Sequence, residues 1–224
     1  MDGTATADGT PSGWPRPRAL LLDAMGTLIG LRAPVGSTYA AVAAEHGLQL
    51  DPATLEQAFA AAYRSAPPLA FPGLSGAELE RAERDWWSAR IAAVLRSVGE
   101  AEGGPPELHR QLFDRYADPG LWRVYDDVPE NLARWHRQGL RLAVVSNFDQ
   151  RLEGLLEAFG LRRWLEVVVV SSRAGAAKPS PRPFQLALAQ LGVEPQQAWH
   201  IGDSREDEAG ARAAGLPCVL VQRR

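Results

Sequence analysis

The chain carries five short apolar runs separated by segments of helical spacing. Arg18 to Ala24 (R-A-L-L-L-D-A), Leu140 to Ser146, Glu166 to Ser171, Ala198 to Gly202 and Pro217 to Val221 lack the alternation of a half-exposed strand. Continuous runs of this length match strands of a parallel sheet buried on both faces. Between them the spacing predicts helices over Pro129–Gln138, Leu152–Phe159, Pro181–Leu191 and Glu206–Ala214, stopped by Gly139, Gly160, Gly192 and Gly215. A glycine at such a stop supplies the left-handed residue that closes a helix. Strands alternating with helices predict an α/β fold, a doubly wound parallel five-stranded sheet with its site at the carboxyl ends of the strands.

Residues 34–121 break this rhythm and contain no strand-like run. Helices are expected over Ser37–Glu45 and Pro52–Arg64, the second with Asp51 as its N-cap and Pro52 at its first position. Ser75-Gly76-Ala77-Glu78 has the form of a capping box opening a long helix. Its apolar positions Leu79, Trp86, Trp87, Ile91, Val94, Leu95 and Val98 recur at helical spacing, and Pro106–Ala117 supplies one more helix. The expected organisation is a tail over 1–17, an α/β core from 18–33 plus 122–224, and an all-helical insertion over 34–121. The tail holds Asp2, Asp8 and scattered Gly and Pro without an apolar core segment. It has the composition of a disordered segment, neither a secretory signal nor an Arg-rich transit peptide.

Composition narrows the function classes. At 224 residues, 46% hydrophobic and 23% charged, the chain resembles an ordinary globular protein. A net charge of −3 argues against nucleic acid or an anionic membrane as partner, since both want a basic face. No stretch approaches the roughly 18 apolar residues of a membrane span. The single cysteine, Cys218, excludes an internal disulfide framework and fits a reducing, cytoplasmic setting. Of the 24 basic residues one alone is lysine, Lys178. An ammonium is a compact point charge that the planar guanidinium does not replace in a tight pocket.

Four clusters follow predicted strands: Asp23-Ala24-Met25-Gly26-Thr27-Leu28, Ser146-Asn147, Lys178-Pro179, and Gly202-Asp203-Ser204-Arg205-Glu206-Asp207. An open α/β sheet binds its ligands at those strand ends. Three carboxylates against one ammonium are badly balanced in a dry pocket, which suggests that a cation joins them. Trp86 and Trp87 are expected to pack the helical insertion, with Trp87 the alternative candidate for a substrate-facing wall. His46, His109 and His136 are expected on helix surfaces, and His200 as a hydrogen-bonded core residue.

In order and placement these clusters resemble the four motifs of the haloacid dehalogenase superfamily, and the insertion is similar to that family's helical cap. A narrower likeness, to the group called haloacid dehalogenase-like hydrolase domain-containing protein 3, rests on Pro34-Val35-Gly36, Glu45-His46-Gly47-Leu48, Trp86-Trp87 and Val145-Ser146-Asn147-Phe148-Asp149. The resemblance implies a Mg²⁺-dependent phosphatase acting on a small phosphorylated metabolite, with Asp23 as nucleophile through an aspartyl-phosphate. It implies Mg²⁺ held by Asp23, Asp203 and the Met25 carbonyl, the oxygen-rich shell this ion prefers. It further implies Lys178 as the balancing charge, the Ser146 hydroxyl and the Ala24 and Met25 amides on the phosphoryl oxygens, Asn147 and Lys178 among the substrate-binding residues, and Asp207 positioning Lys178 or a metal-bound water. Asn147 and Thr27 are expected to orient the motif loops rather than react. The expected assembly is a monomer or homodimer.

One position departs from the family pattern. Phosphatases of this superfamily carry a second Asp two residues after the nucleophile, to protonate the leaving oxygen, and here that residue is Met25. Such assistance is worth about 10²–10⁴-fold for a leaving group that needs the proton. Three readings therefore stay open: a phosphatase for a good leaving group or with a borrowed acid, a 2-haloacid dehalogenase, and a non-catalytic module binding a phosphorylated ligand or a protein. Against the dehalogenase stand Asp203 and Asp207, which would repel a substrate carboxylate, and Phe184, which occupies the place of a family tyrosine six residues past the lysine.

Overall fold

The computed structural model describes residues 15–223. Most of the expected tail, residues 1–14, lies outside the described residues. The chain enters the sheet with β1 (Ala19–Leu22), passes through β2 (Ile29–Leu31), and then forms four helices, α1 (Val35–Glu45), α2 (Pro52–Arg64), α3 (Gly76–Ser97) and α4 (Pro106–Arg115). It returns through β3 (Trp122–Val124) and continues with α5 (Val128–Arg137), β4 (Arg141–Ser146), α6 (Arg151–Ala158) and β5 (Val167–Val170). The short α7 (Ser171–Ala174), then α8 (Arg182–Leu191), β6 (Ala198–Gly202), α9 (Arg205–Ala213) and β7 (Cys218–Leu220) complete it.

The main sheet is parallel, in the order β5-β4-β1-β6-β7. Successive side chains of a strand point to opposite faces, so each apolar run serves two cores. Leu20, Leu22, Leu142 and Val144 pack with Val128, Leu132, Leu152 and Leu155 on one face. Ala19, Leu21, Ala143 and Val145 pack with Phe184, Ala187, Leu188 and Ala211 on the other. Burying a leucine in this way contributes about 1.5–3 kcal/mol, which is why the runs read as unbroken. Strand order reverses at β1, and in open α/β sheets the ligand crevice lies at such a switch point. Gly139, Gly160, Gly192 and Gly215 all take positive φ beyond their helices, as expected.

Helices α1–α4 build a separate apolar cluster around Tyr39, Val42, Leu55, Ile91, Val94, Leu108 and Leu112. Asp51 caps α2 as anticipated, its carboxylate accepting the Thr54 amide at 2.7 Å. The capping box at Ser75–Glu78 does not form. Gly76 enters α3 with φ +53°, and the Ser75 side chain makes no cap bond. The helical segment leaves and rejoins the core through an antiparallel ribbon, β2 with β3, pairing Ile29 with Val124 and Leu31 with Trp122. The apolar pattern does not foretell this ribbon.

Candidate functional site

The four motif loops converge where β1, β4 and β6 end. Asp23 follows β1 and is buried, as are Ser146, Lys178 and Asp207. Lys178 Nζ donates to Asp23 Oδ1 at 2.6 Å, to Asp207 Oδ1 at 2.5 Å and to the Val145 carbonyl at 3.1 Å, which uses all three of its protons. The Ser146 hydroxyl donates to the same Asp23 Oδ1 at 3.1 Å. Asp23 Oδ2 accepts no hydrogen bond among the described residues. Asn147 and Lys178 clasp each other, Asn147 Nδ2 donating to the Lys178 carbonyl at 3.0 Å and the Lys178 amide donating to Asn147 Oδ1 at 2.7 Å.

Asp207 is locked by its own helix. Its Oδ2 accepts the Ser204 amide at 3.1 Å and the Ser204 hydroxyl at 2.6 Å, while its amide donates back to Ser204 Oγ at 3.1 Å. This capping box opens α9. Oδ1 takes Lys178 and, at 2.9 Å, His200 Nε2. Burial would raise this carboxyl, but the bonds from His200, Lys178 and Ser204 and the Lys178 charge hold it well below the usual range. Burial likewise opposes the charged form of Lys178, yet the Asp23 and Asp207 charges outweigh it and push the ammonium above its ordinary value. His200 sits in the core as expected. Sequence reading does not disclose that its second nitrogen supports Asp207.

Asp203 opens to solvent at the mouth of the site. Its approach to the first loop depends on Gly26, which has φ +83° and where a Cβ would come within 2.2 Å of Asp203 Oδ2. Partial burial, then the charges of Asp23 and Asp207, raise the Asp203 carboxyl. Carboxylate oxygens of Asp23, Asp203 and Asp207 lie within 4.8 Å of one another. Asp207 has both oxygens engaged, so Asp23 and Asp203 offer the free ones. The Met25 carbonyl accepts no hydrogen bond among the described residues, and the Ala24 and Met25 amides donate none. This donor set fits a hard divalent cation beside an oxyanion.

From this cluster a cavity of about 580 Å³ runs under α2–α4. Trp86, expected to pack helices, and Trp87, for which a substrate-facing wall is the alternative, both line it, together with Tyr63, Phe113 and Arg151. Trp87 Nε1 donates to Asp149 Oδ2 at 2.7 Å. Asp149 is fully buried and pairs with Arg151 through bonds of 2.8 and 2.6 Å. Sequence reading misses this pair. Its signal is Arg151 at the first turn of α6, where a cation runs against the helix dipole and needs a local carboxylate. Tyr63 is 42% exposed, and partial burial, then the Asp149 and Asp23 charges, raise its phenol. His46, His109 and His136 stand away from the cavity.

A family model described as haloacid dehalogenase-like hydrolase matches residues 17–215. Haloacid dehalogenase-like hydrolase domain-containing protein 3 of Homo sapiens is 41% identical over 207 residues, covering 91% of this chain and 81% of its own. Phosphoserine phosphatase of Thermus thermophilus is 37% identical over 134 residues, 58% of this chain and 53% of that one. Among solved structures, CbbY from Rhodobacter sphaeroides in complex with phosphate aligns with a TM-score of 0.63 at 22% identity, covering 93% of this chain and 87% of the other, a likeness of fold.

Proposed function

The chain belongs to the haloacid dehalogenase-like hydrolase family, and from that premise we propose that it is a Mg²⁺-dependent phosphatase acting on a small phosphorylated metabolite through a phosphorylated Asp23. One observation carries the reading. Lys178 and Ser146 both hold Asp23 Oδ1 at the inner end of a large cavity, which leaves Oδ2 free to face a ligand. A carboxylate fixed in rotamer and orientation has little reorganisation left before attack.

Asp23 is the nucleophile. Lys178 offsets its charge and that of the incoming phosphate, and Asp207, tied by Ser204 and His200, keeps the ammonium in place. The free amides of Ala24 and Met25 and the Ser146 hydroxyl provide donors for phosphoryl oxygens. Asp23, Asp203 and the Met25 carbonyl would hold Mg²⁺, whose bound charge would offset the repulsion between the nucleophile and the phosphate dianion. Residues 34–121 act as a cap over the core of 18–33 and 122–224. Met25 is 41% exposed and has no titratable group, so the site gives the leaving oxygen no proton from that position.

The dehalogenase reading finds less support. Phe184 is fully buried against the edge of His200, with ring centroids 4.9 Å apart, and does not line the cavity. A haloacid carboxylate would also meet Asp203 at the mouth. The test is turnover of acetyl phosphate, whose leaving group needs no proton. Turnover should disappear with chelator, return with Mg²⁺ and be absent in Asp23→Asn. A folded protein that binds phosphate without turning over any ester would instead be a binding module.

A further inference from the structure

We infer that the substrate's organic part is an uncharged aromatic group, so that the site serves small aryl phosphate monoesters. The inference rests on the phosphatase reading and narrows it. Two independent features of the cavity converge on it.

The first is the wall. Trp87 and Tyr63 are stacked with centroids 6.4 Å apart and an interplanar angle of 27°. Trp86 meets Trp87 edge-on at 4.9 Å. Both tryptophans and Tyr63 line the same cavity as Asp23, Lys178 and Asp203. Stacked and edge-on aromatic surfaces recognise another ring by apolar burial and quadrupole geometry.

The second is the accounting of charge. Among the described residues the only basic side chains lining the cavity are Lys178 and Arg151. Lys178 is spent on Asp23 and Asp207. Arg151 is neutralised by Asp149 and donates further to the Phe113 carbonyl at 2.7 Å. No cation is left for a second anion, while Asp203 and Glu206 line the same cavity. A carboxylate or second phosphate on the substrate would be desolvated without a partner, which is costly. Sugar bisphosphates, phosphoglycolate-like and phosphoserine-like esters are thereby disfavoured.

The chemistry agrees. In the first step Asp23 Oδ–P forms and the P–O(aryl) bond breaks, the electron pair leaving on a phenolate that takes its proton from water. In the second, water attacks phosphorus, the acyl-phosphate O–P bond breaks and the Asp23 carboxylate returns. The sum is ester plus water giving phenol plus phosphate. A phenolate leaves without the acid that Met25 lacks, and an alkoxide does not.

The test is calorimetric binding of phosphonates, which cannot turn over, to the Mg²⁺-loaded full chain. Phenylphosphonate should bind at least about tenfold more tightly than methylphosphonate or phosphonoacetate, and Tyr63→Ala should erase most of that advantage. Equal or tighter binding of phosphonoacetate would overturn the inference. Equal binding of the methyl and phenyl compounds, or an advantage untouched in both Tyr63→Ala and Trp87→Leu, would do the same. Acetyl phosphate turnover, measured in parallel, reports on the phosphatase reading separately. Its absence would overturn that reading while the phosphonate series still decides the pocket's preference.

Discussion

The Lys178 ammonium lies 2.6 Å from Asp23 Oδ1, and both side chains are buried. With Ser146 on the same oxygen, the carboxylate is held from one side and its other oxygen is left without a hydrogen bond among the described residues. Three acceptors surround Nζ at 2.5–3.1 Å, so the pocket is shaped around a single tetrahedral nitrogen.

That geometry predicts that Lys178→Arg is nearly as damaging as Lys178→Ala. The guanidinium is longer and planar and does not place donors on three converging acceptors. Turnover of acetyl phosphate should fall at least about 10²-fold in both variants, on the scale of losing a preorganised charge. Denaturant unfolding should show Lys178→Ala destabilised by about 3–5 kcal/mol, since Asp23 and Asp207 are left buried without a counter-charge. Retention of most activity by Lys178→Arg would contradict the point-charge role.

Asp203→Asn tests the charge balance at the mouth. Asp203 is pressed by Asp23 and Asp207, so removing its charge relieves repulsion in the folded state. The metal-free variant should melt at or above the temperature of the metal-free parent. Mg²⁺ should raise the melting temperature of the parent by mass action and leave the variant nearly unmoved. Thermal melts with chelator and with Mg²⁺ give both comparisons.

His200 is a positioning residue in this account. Its Nδ1 lies 2.9 Å from the Leu21 carbonyl oxygen and its Nε2 2.9 Å from Asp207 Oδ1, so it ties the sheet to the carboxylate that supports Lys178. His200→Leu removes the imidazole from between these two buried oxygens and should cost about 1–3 kcal/mol of stability. Because His200 reaches the substrate only through Asp207 and Lys178, kcat should fall while KM holds. A KM rise at constant kcat would assign it to substrate binding instead.

The legible and illegible parts of this molecule separate along physical lines. Strands β1, β4, β5 and β6 are buried along nearly their whole length, while the edge strand β7 is part-exposed, and that burial writes itself into the chain as unbroken apolar runs. Asp23, Ser146 and Asp203 were locatable because each falls at a strand's end, and a parallel sheet brings those ends together. The ribbon of β2 and β3 was not, because Ile29-Gly30-Leu31 and Trp122-Arg123-Val124 are three residues each and pair across the whole helical segment. Helical spacing placed Trp86 and Trp87 on α3 but does not say which side of that helix meets the cavity. The Asp149–Arg151 pair and the Asp207–His200 bond are tertiary contacts, or local ones set by a turn, that periodicity does not encode.

Met25→Asp addresses the departure from the family pattern. Met25 is 41% exposed, so a carboxylate there keeps its water. The variant should gain on alkyl phosphates relative to aryl phosphates, because only the alkoxide needs a proton. The ceiling is about 10²–10⁴-fold, and about tenfold is expected, since no neighbour tunes the new group. The ratio of alkyl to aryl kcat/KM at saturating Mg²⁺ gives the answer. An unchanged ratio would place the proton source elsewhere.

The central claim is that Asp23 becomes phosphorylated, and rapid acid quench with a ³²P-labelled aryl phosphate tests it most directly. Asp23 lies in the tryptic peptide spanning residues 19–32, bounded by Arg18 and Arg32. The account predicts label in that peptide during turnover, lost on treatment with hydroxylamine as for an acyl phosphate, and absent in Asp23→Asn. Turnover of the ester by the parent with no label in residues 19–32, or with label that survives in Asp23→Asn, would contradict it.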